Sequence, residues 1–504
     1  MNRMSDLLIT DLRYLVSDLG KHGGLTSPSV YDTAQVLRLA PPGAQLWATL
    51  QWLLDQQQSD GGWGNPALPL SRDVPTLATV LALSTHCTRQ RDRVAIQAGV
   101  DFLKRQATRW AAPLPDDIPS AVELLLPYLL CEAAGIGVDL PMEPYHALLA
   151  LGQRRRRLIA KLNPQAGTAA VHSWEAWGTE PSFDQIDGSG GVGHSPAATA
   201  AWIQRAKDRP DLADGVARAR QYLDDAATST GTNIPGVMPN AWPIARTEQA
   251  TALYGILLAQ MLDHPALSDM VDPILAELAD AMTPTGLGTS DFFTPDGDDT
   301  AMALACLAGR RDVSIAPMLH FAVDSHFYTY IGELQPSLSA TAHALHALSL
   351  SGKPWPNATS YLLERQHPDG RWIGDKWNGS WLYTTCHTLA ALLQMSEYDP
   401  APTLSTVLAH QHADGGWGLG GSNSEETAYA VATLCELRRA RRLPPEGEQA
   451  LRRAATFLIS RYRPFAEESV AVWLAKEPYR PRRVSRAFEL SATLALVTEG
   501  FADG

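Results

Sequence analysis

Three short segments constrain this chain more than anything else in it. QQSDGGW (Gln57 to Trp63), QHPDGRW (Gln366 to Trp372) and QHADGGW (Gln411 to Trp417) each read Q-x-x-D-G-x-W. Asp-Gly suits a turn, the glutamine amide can serve a helix end, and the indole can pack on that amide. One such match carries little weight. Three of the same form, with Gln366 and Gln411 about one helical hairpin apart, argue for a repeated helix–turn–helix unit. They support the fold and supply no chemistry. The stretches around them agree: PTLATVLALSTH, AMALACLAG, TAHALHALSLSG and TAYAVATLCELRRA are rich in Ala and Leu at helical spacing and stop near Gly, Lys, Arg or Pro. Alternating β-branched runs are scarce, so the expected fold class is all-α.

A chain of 504 residues suggests two or three domains, and 45% hydrophobic against 19% charged residues is enough for sizeable cores. The net charge of -13 argues against a nucleic-acid partner, though not against one small phosphorylated ligand held by local cations. Cys87, Cys131, Cys306, Cys386 and Cys435 form no CxxC pair and read as reduced thiols. The N-terminus carries Asp6, Asp11 and Asp18 among helically spaced apolar residues, which reads as a first helix and no targeting segment. No run approaches the roughly 18 apolar residues needed to span a bilayer. A cytoplasmic location is expected.

Acidic-Thr-Ala recurs at expected helix starts: Asp32-Thr33-Ala34, Asp299-Thr300-Ala301 and Glu426-Thr427-Ala428. Acidic residues in a first turn favour the helix dipole, and most such triplets need no other role. The middle one lies in TPDGDDTAMALACL, where Asp296, Asp298 and Asp299 crowd the start of an apolar helix. A solvated N-cap or a metal-binding loop would account for it. Crowded carboxylates also repel, so at least one should hold its proton at neutral pH. A protonated carboxyl facing an apolar cavity is what protonation of an unactivated alkene requires.

DGDDTA resembles the DxDD(T)A signature of class II terpene cyclases, and the Q-x-x-D-G-x-W segments resemble that superfamily's QW motifs. The likeness runs along essentially the whole chain. SVYDTA (Ser29 to Ala34), HSPAATAAW (His194 to Trp202), DKWNGSWLYTT (Asp375 to Thr385), SEETAYA (Ser424 to Ala430) and WLAKEPYRPRRV (Trp473 to Val484) resemble further blocks of the class II diterpene cyclases. Among these the best match is to bacterial ent-copalyl diphosphate synthases, whose LHS and PNV motifs hold a water that acts as terminal base. Here the matching segments are VHSW, with His172, and PNAW, with Asn240; Val171 and Ala241 replace the apolar neighbours. The family also has an Asn that orients the catalytic acid, and this chain has Thr341 there, ahead of His343.

The resemblance implies two α/α barrels, an inserted γ domain at about 23–243 and a β domain of 1–22 plus 244–504, with the active site between them. It implies that Asp298 protonates the terminal alkene of geranylgeranyl diphosphate while Asp296 and Asp299 stabilise its carboxylate. Two rings close, a water on His172 and Asn240 takes the last proton, and (ent-)copalyl diphosphate leaves with its diphosphate intact. Lys376, Lys476 and Arg483 match basic positions for binding that diphosphate, with Arg72 a weaker candidate and Mg²⁺ an expected companion. Trp381, Tyr383, Phe327 and Tyr330 are candidates to stabilise the cation. The same acid would serve synthases of other bicyclic diphosphates: halimadienyl, terpentedienyl or, from farnesyl diphosphate, drimenyl. Neither Asp116-Asp117 nor Asp224-Asp225 completes the DDxxD motif of class I synthases, so a separate class I enzyme is expected to consume the product. Triterpene cyclases lack the DKW and WxxKxxY blocks. Glycosidases pair two carboxylates across a cleft, and a non-enzymatic helical toroid has no reason to keep three crowded aspartates.

Overall fold

The computed structural model describes residues 3–501 apart from 44–45, 87, 116–117, 163, 334, 396–397 and 467–469; Cys87 and the Asp116-Asp117 pair lie outside the described residues. Each Q-x-x-D-G-x-W segment folds the same way. Its first glycine (Gly61, Gly370, Gly415) turns the chain at φ of 90–91°, where a Cβ would strike backbone of the second α-helix that follows, 2.5 Å away. The indole then donates backwards to a carbonyl near the end of the preceding helix: Leu53, Leu362 and Val407, at 2.7, 2.7 and 2.8 Å. These are the carbonyls a helix end leaves without partners. The glutamine amide holds the turn by donating to the glycine carbonyl, at 2.8, 3.1 and 2.8 Å.

The acidic-Thr-Ala echo also has a structural basis. Each threonine accepts the backbone N–H of an incoming loop residue: Thr33 from Met238 (2.9 Å), Thr300 from Leu287 (2.8 Å) and Thr427 from Trp417 (2.9 Å). Thr76 and Thr385 do the same for Trp63 and Trp372. The threonine therefore fastens a loop to the start of an inner helix, a role invisible in a triplet read alone.

Two barrels follow from the order in which helices touch. Ala245–Leu258, Gly297–Leu307, Leu338–Leu350, Trp381–Leu392, Ser424–Arg439 and Arg482–Thr498 each pack on the next, and the last returns to the first. Val30–Leu39, Asp73–His86, Val122–Gly135, Trp174–Trp177 and Pro196–Ala206 close a second ring in the same manner. Inner helices are buried nearly all round: Leu338–Leu350 is buried without a break from Leu338 to Leu348. Outer helices bury one stripe, as Arg3–Ser17 does through Leu8, Leu12, Leu15 and Val16. That stripe joins the apolar core built from residues 250–501, although the other barrel intervenes in sequence. The architecture is all-α, with strands confined to two short antiparallel pairs among the described residues. No described helix is long and apolar enough to cross a membrane, and the four described cysteines are free thiols.

Candidate active site

A cavity of about 240 Å³ lies where the two barrels meet. One barrel supplies Ala169, His172, His194 and Ala241, and the other supplies Thr247, Phe293, the three aspartates, Tyr330, Trp377 and the Trp473–Tyr479 hairpin. The acidic cluster enters it because strand Leu287–Gly288 pairs with Pro295–Asp296 and delivers Asp296 to the N-cap of helix Gly297–Leu307. Asp296 Oδ1 accepts the amides of Asp298 (3.0 Å) and Asp299 (2.8 Å). Asp299 accepts the Thr247 hydroxyl at 2.5 Å.

Asp296 and Asp299 are both buried and face each other's charge, which disfavours ionising both at once. Burial, with Asp299 beside it, holds Asp296 well above the ordinary carboxylate range despite the two amides it accepts. Burial pushes Asp299 up to about 7, against the pull of Thr247.

Asp298 turns away from this pair. Its Oδ1 lies 2.6 Å from Nδ1 of His343, whose Nε2 lies 2.7 Å from Nδ1 of His387. The direct hydrogen-bonded neighbour of the Asp298 carboxyl is thus His343, while Asp296 and Asp299, expected to act on it directly or through water, make no direct bond to it. Thr341 is corrected with it. Residues two apart on a helix face different ways, and Thr341 bonds backbone instead: Ser337 O at 3.0 Å and Phe327 N at 3.3 Å. Asp375 fixes this helix by accepting Ser337 Oγ, Ser339 Oγ and Ser339 N. The DKW block therefore positions His343 from a distance.

Across the cavity, His172 Nδ1 donates to Gly193 O at 2.8 Å when the ring is neutral, which leaves Nε2 as an acceptor. Burial, with Lys476 nearby, pushes its pKa down to about 3, so the ring is neutral at physiological pH. Asn240 does not itself line the cavity; it is fully buried behind the lining residue Ala241, and neither amide atom has a protein partner. Such an amide needs a water or a ligand group. His194, which sequence reasoning passed over, shares this wall. Its ring stacks on Phe293 at 4.8 Å, its Nε2 reaches Ser290 at 3.3 Å, and burial also lowers it to about 3. It heads the HSPAATAAW block, which was the available signal.

The expected cations fare differently. Lys376 bonds Glu333 (2.6 Å) and Gln335 O (2.7 Å) and does not line the cavity. Arg483 bonds Glu248 (3.0 Å) where the chain passes from one barrel to the other, again away from the lining. Arg72 is held by Asp60 at 2.7 and 2.8 Å over the Phe102 ring. Lys476 does line the cavity, but its ammonium is taken by Glu175 (2.7 Å) and Ser195 (2.5 Å), with Asp32 at 4.0 Å. Removing one partner of a buried ion pair strands the other. Lys476→Met should therefore cost about 3 kcal/mol of stability, and adding Glu175→Leu should recover part of it, as urea midpoints would record. A single variant as stable as the parent would show the charge to be free for ligand.

The aromatic wall is also not the one expected. Trp381 packs on Arg371 and His410, each at 5.1 Å, and Phe327 on Trp355, while Tyr383 lies behind Trp473 at 5.0 Å. None of the three lines the cavity. Tyr330 does, with Phe293, Trp377, Trp473 and Tyr479. Three of these lie in the blocks singled out for their lysines.

The family described as Squalene-hopene cyclase C-terminal domain matches residues 335–436. The (+)-kolavenyl diphosphate synthase of Herpetosiphon aurantiacus is 47% identical over 98% of this chain and 99% of its own. The ent-copalyl diphosphate synthase of a Streptomyces species (strain KO-3988) is 32% identical over 94% of this chain and 92% of its own. Among solved structures, ent-copalyl diphosphate synthase from Streptomyces platensis superposes with a TM-score of 0.79 at 30% identity, covering 98% of this chain and 99% of that one.

Proposed function

The chain belongs to the class II terpene cyclases, and on that premise we propose that it converts geranylgeranyl diphosphate into a bicyclic diterpenyl diphosphate with the diphosphate retained. The observation that carries this reading is the opposition of two walls. Asp298, backed by His343 and the proton-holding Asp296–Asp299 pair, belongs to one barrel, and neutral His172 to the other. Asp298 gives its proton to the terminal alkene, and the tertiary cation is passed on through two ring closures. Trp377, Tyr330, Trp473 and Tyr479 present aromatic faces to the moving charge and keep bulk water away from it. A base with little strength is enough at the end, because a carbocation's neighbouring C–H is very acidic.

Mg²⁺ enters this reading as the counter-ion of the diphosphate, carried in with substrate. Among the described residues no group of three or more His, Cys, Asp or Glu side chains is placed to hold a metal ion, and no step is assigned to it. The product keeps a leaving group, so an enzyme of the diphosphate-ionising class I type is the reaction that would consume it.

Copalyl and kolavenyl diphosphates are both bicyclic isomers of this substrate. One follows from prompt proton loss, the other from migration of charge round the rings before proton loss. The His172 and Asn240 matches support the copalyl type. The likeness at 47% identity over nearly all of both chains to a (+)-kolavenyl diphosphate synthase supports the kolavenyl type and is the broader support. The test is incubation of purified protein with geranylgeranyl and with farnesyl diphosphate, dephosphorylation, and mass spectrometry beside chiral standards of both skeletons. A bicyclic diterpenol is expected, with no inorganic pyrophosphate released. Pyrophosphate appearing in step with cyclisation would overturn the reading.

A further inference from the structure

Each turnover leaves Asp298 as a carboxylate, so a proton must reach it from outside before the next. Asp298 is joined to His343 (2.6 Å) and His343 to His387 (2.7 Å), which carries the chain of hydrogen bonds into the barrel and away from the substrate cavity. There it stops at an unpartnered atom. Nε2 of His387 is buried and has no protein partner. The imidazole lines a small second cavity of about 10 Å³, whose walls are otherwise mainly apolar: Leu258, Leu389 and Phe488 among them. That volume is about the size of one water. The same cavity is lined by Glu436, a partly exposed residue of helix Ser424–Arg439.

We propose that His343, His387 and Glu436 form the route by which Asp298 is reprotonated from solvent, separate from the cavity that holds substrate. The step balances as one proton passed inward. Glu436 releases its carboxyl proton across the water-sized cavity to Nε2 of His387. The Nδ1–H of His387 moves to Nε2 of His343, and the Nδ1–H of His343 moves to Oδ1 of Asp298. Every N–H or O–H bond broken is matched by one formed, and Glu436 takes a new proton from solvent. Rotation of the Asp298 carboxyl turns the new O–H to the substrate, and each ring turns so that its N–H again points inward, with no N–H bond broken, before the next round. Supporting this, burial pushes Glu436 up to about 7, so both its forms are present near neutrality, while burial keeps His387 neutral. The arrangement also solves a conflict. The cation must be shielded from water, yet the acid must be refilled from it, and a route through the opposite side of the barrel meets both needs.

The inference rests on the class II reading, and the test separates the two. Cyclisation of geranylgeranyl diphosphate is measured in a single turnover, with enzyme in excess, and at steady state, for the parent, Glu436→Gln, Glu436→Asp and His387→Gln. A protein that starts with Asp298 protonated completes one turnover without the relay. Glu436→Gln should therefore keep the single-turnover rate within about twofold while steady-state kcat falls roughly tenfold or more, Glu436→Asp should restore part of it, and His387→Gln should lower steady-state kcat at least as far. Equal loss in both measurements, or loss in neither, would overturn the relay. If the parent leaves geranylgeranyl diphosphate untouched, it is the substrate reading that fails, and the same pair of rates is taken on the prenyl diphosphate that it does cyclise.

Discussion

Asp298→Asn should abolish turnover while leaving the fold intact. General acid catalysis supplies roughly 10²–10⁴-fold, and an unactivated alkene does not ionise without a proton delivered to it, so a loss at or beyond the upper end is expected. The replacement amide has the shape of the carboxyl and can still bond His343, so the thermal midpoint should stay near that of the parent. It has no proton acidic enough to give. Retention of more than a few per cent of parental product would place the acid elsewhere. A pH profile adds a second check. Carboxyls held above their usual range keep a proton at neutral pH and lose it on the alkaline side, and Asp299 does so near 7. Above that pH Asp299 is ionised, and an added negative charge stands in the acidic cluster that faces the alkene. The parental rate should therefore fall as pH rises past about 7, with no matching loss below it down to the ordinary carboxylate range.

The parts of this site that were legible in the sequence are those whose information is local. Asp296, Asp298 and Asp299 are contiguous, and their crowding is visible without a fold. The Q-x-x-D-G-x-W turns are likewise self-contained, since glutamine, glycine and indole serve one loop and the helix before it. What was not legible depends on partners distant in the chain. Lysine in a motif block reads as a ligand for anions until the fold brings a carboxylate to it. Lys476 meets Glu175 from the other barrel, and Lys376 meets Glu333. His343 escaped notice because the helix phase that separates it from Thr341 cannot be set until the helix is docked against Asp298. The aromatic lining stayed open for the same reason: of four candidates, each as readily core as lining, Tyr330 reaches the cavity, and Trp377 reaches it where Trp381, four residues on, does not.

The second large effect is expected at the end of the reaction, on the wall opposite the acid. His172 presents an unprotonated Nε2 because Gly193 O takes its Nδ1–H, and it stays neutral because burial and Lys476 both oppose a second proton. A cationic imidazole there would repel the carbocation, whereas the neutral ring can polarise a water. On the proposed reading the other half is Asn240, an amide whose buried oxygen and nitrogen are left without protein partners. A water held between two such groups is fixed in orientation and can take a proton from a methyl group without adding to the cation. Cutting either side chain back to a methyl group enlarges the pocket and frees that water, and a free water beside a tertiary cation is a nucleophile. His172→Ala and Asn240→Ala are therefore expected to release a hydroxylated bicyclic diphosphate as a major product, with substrate consumption largely preserved because Asp298 still starts the cascade. Mass spectrometry after dephosphorylation would show a diol in place of the mono-ol, and reaction in ¹⁸O-water would place the label on the ring carbon. If both variants gave only the parental olefin at close to the parental rate, His172 would be a packed wall residue, and deprotonation would fall to another group on the cavity wall.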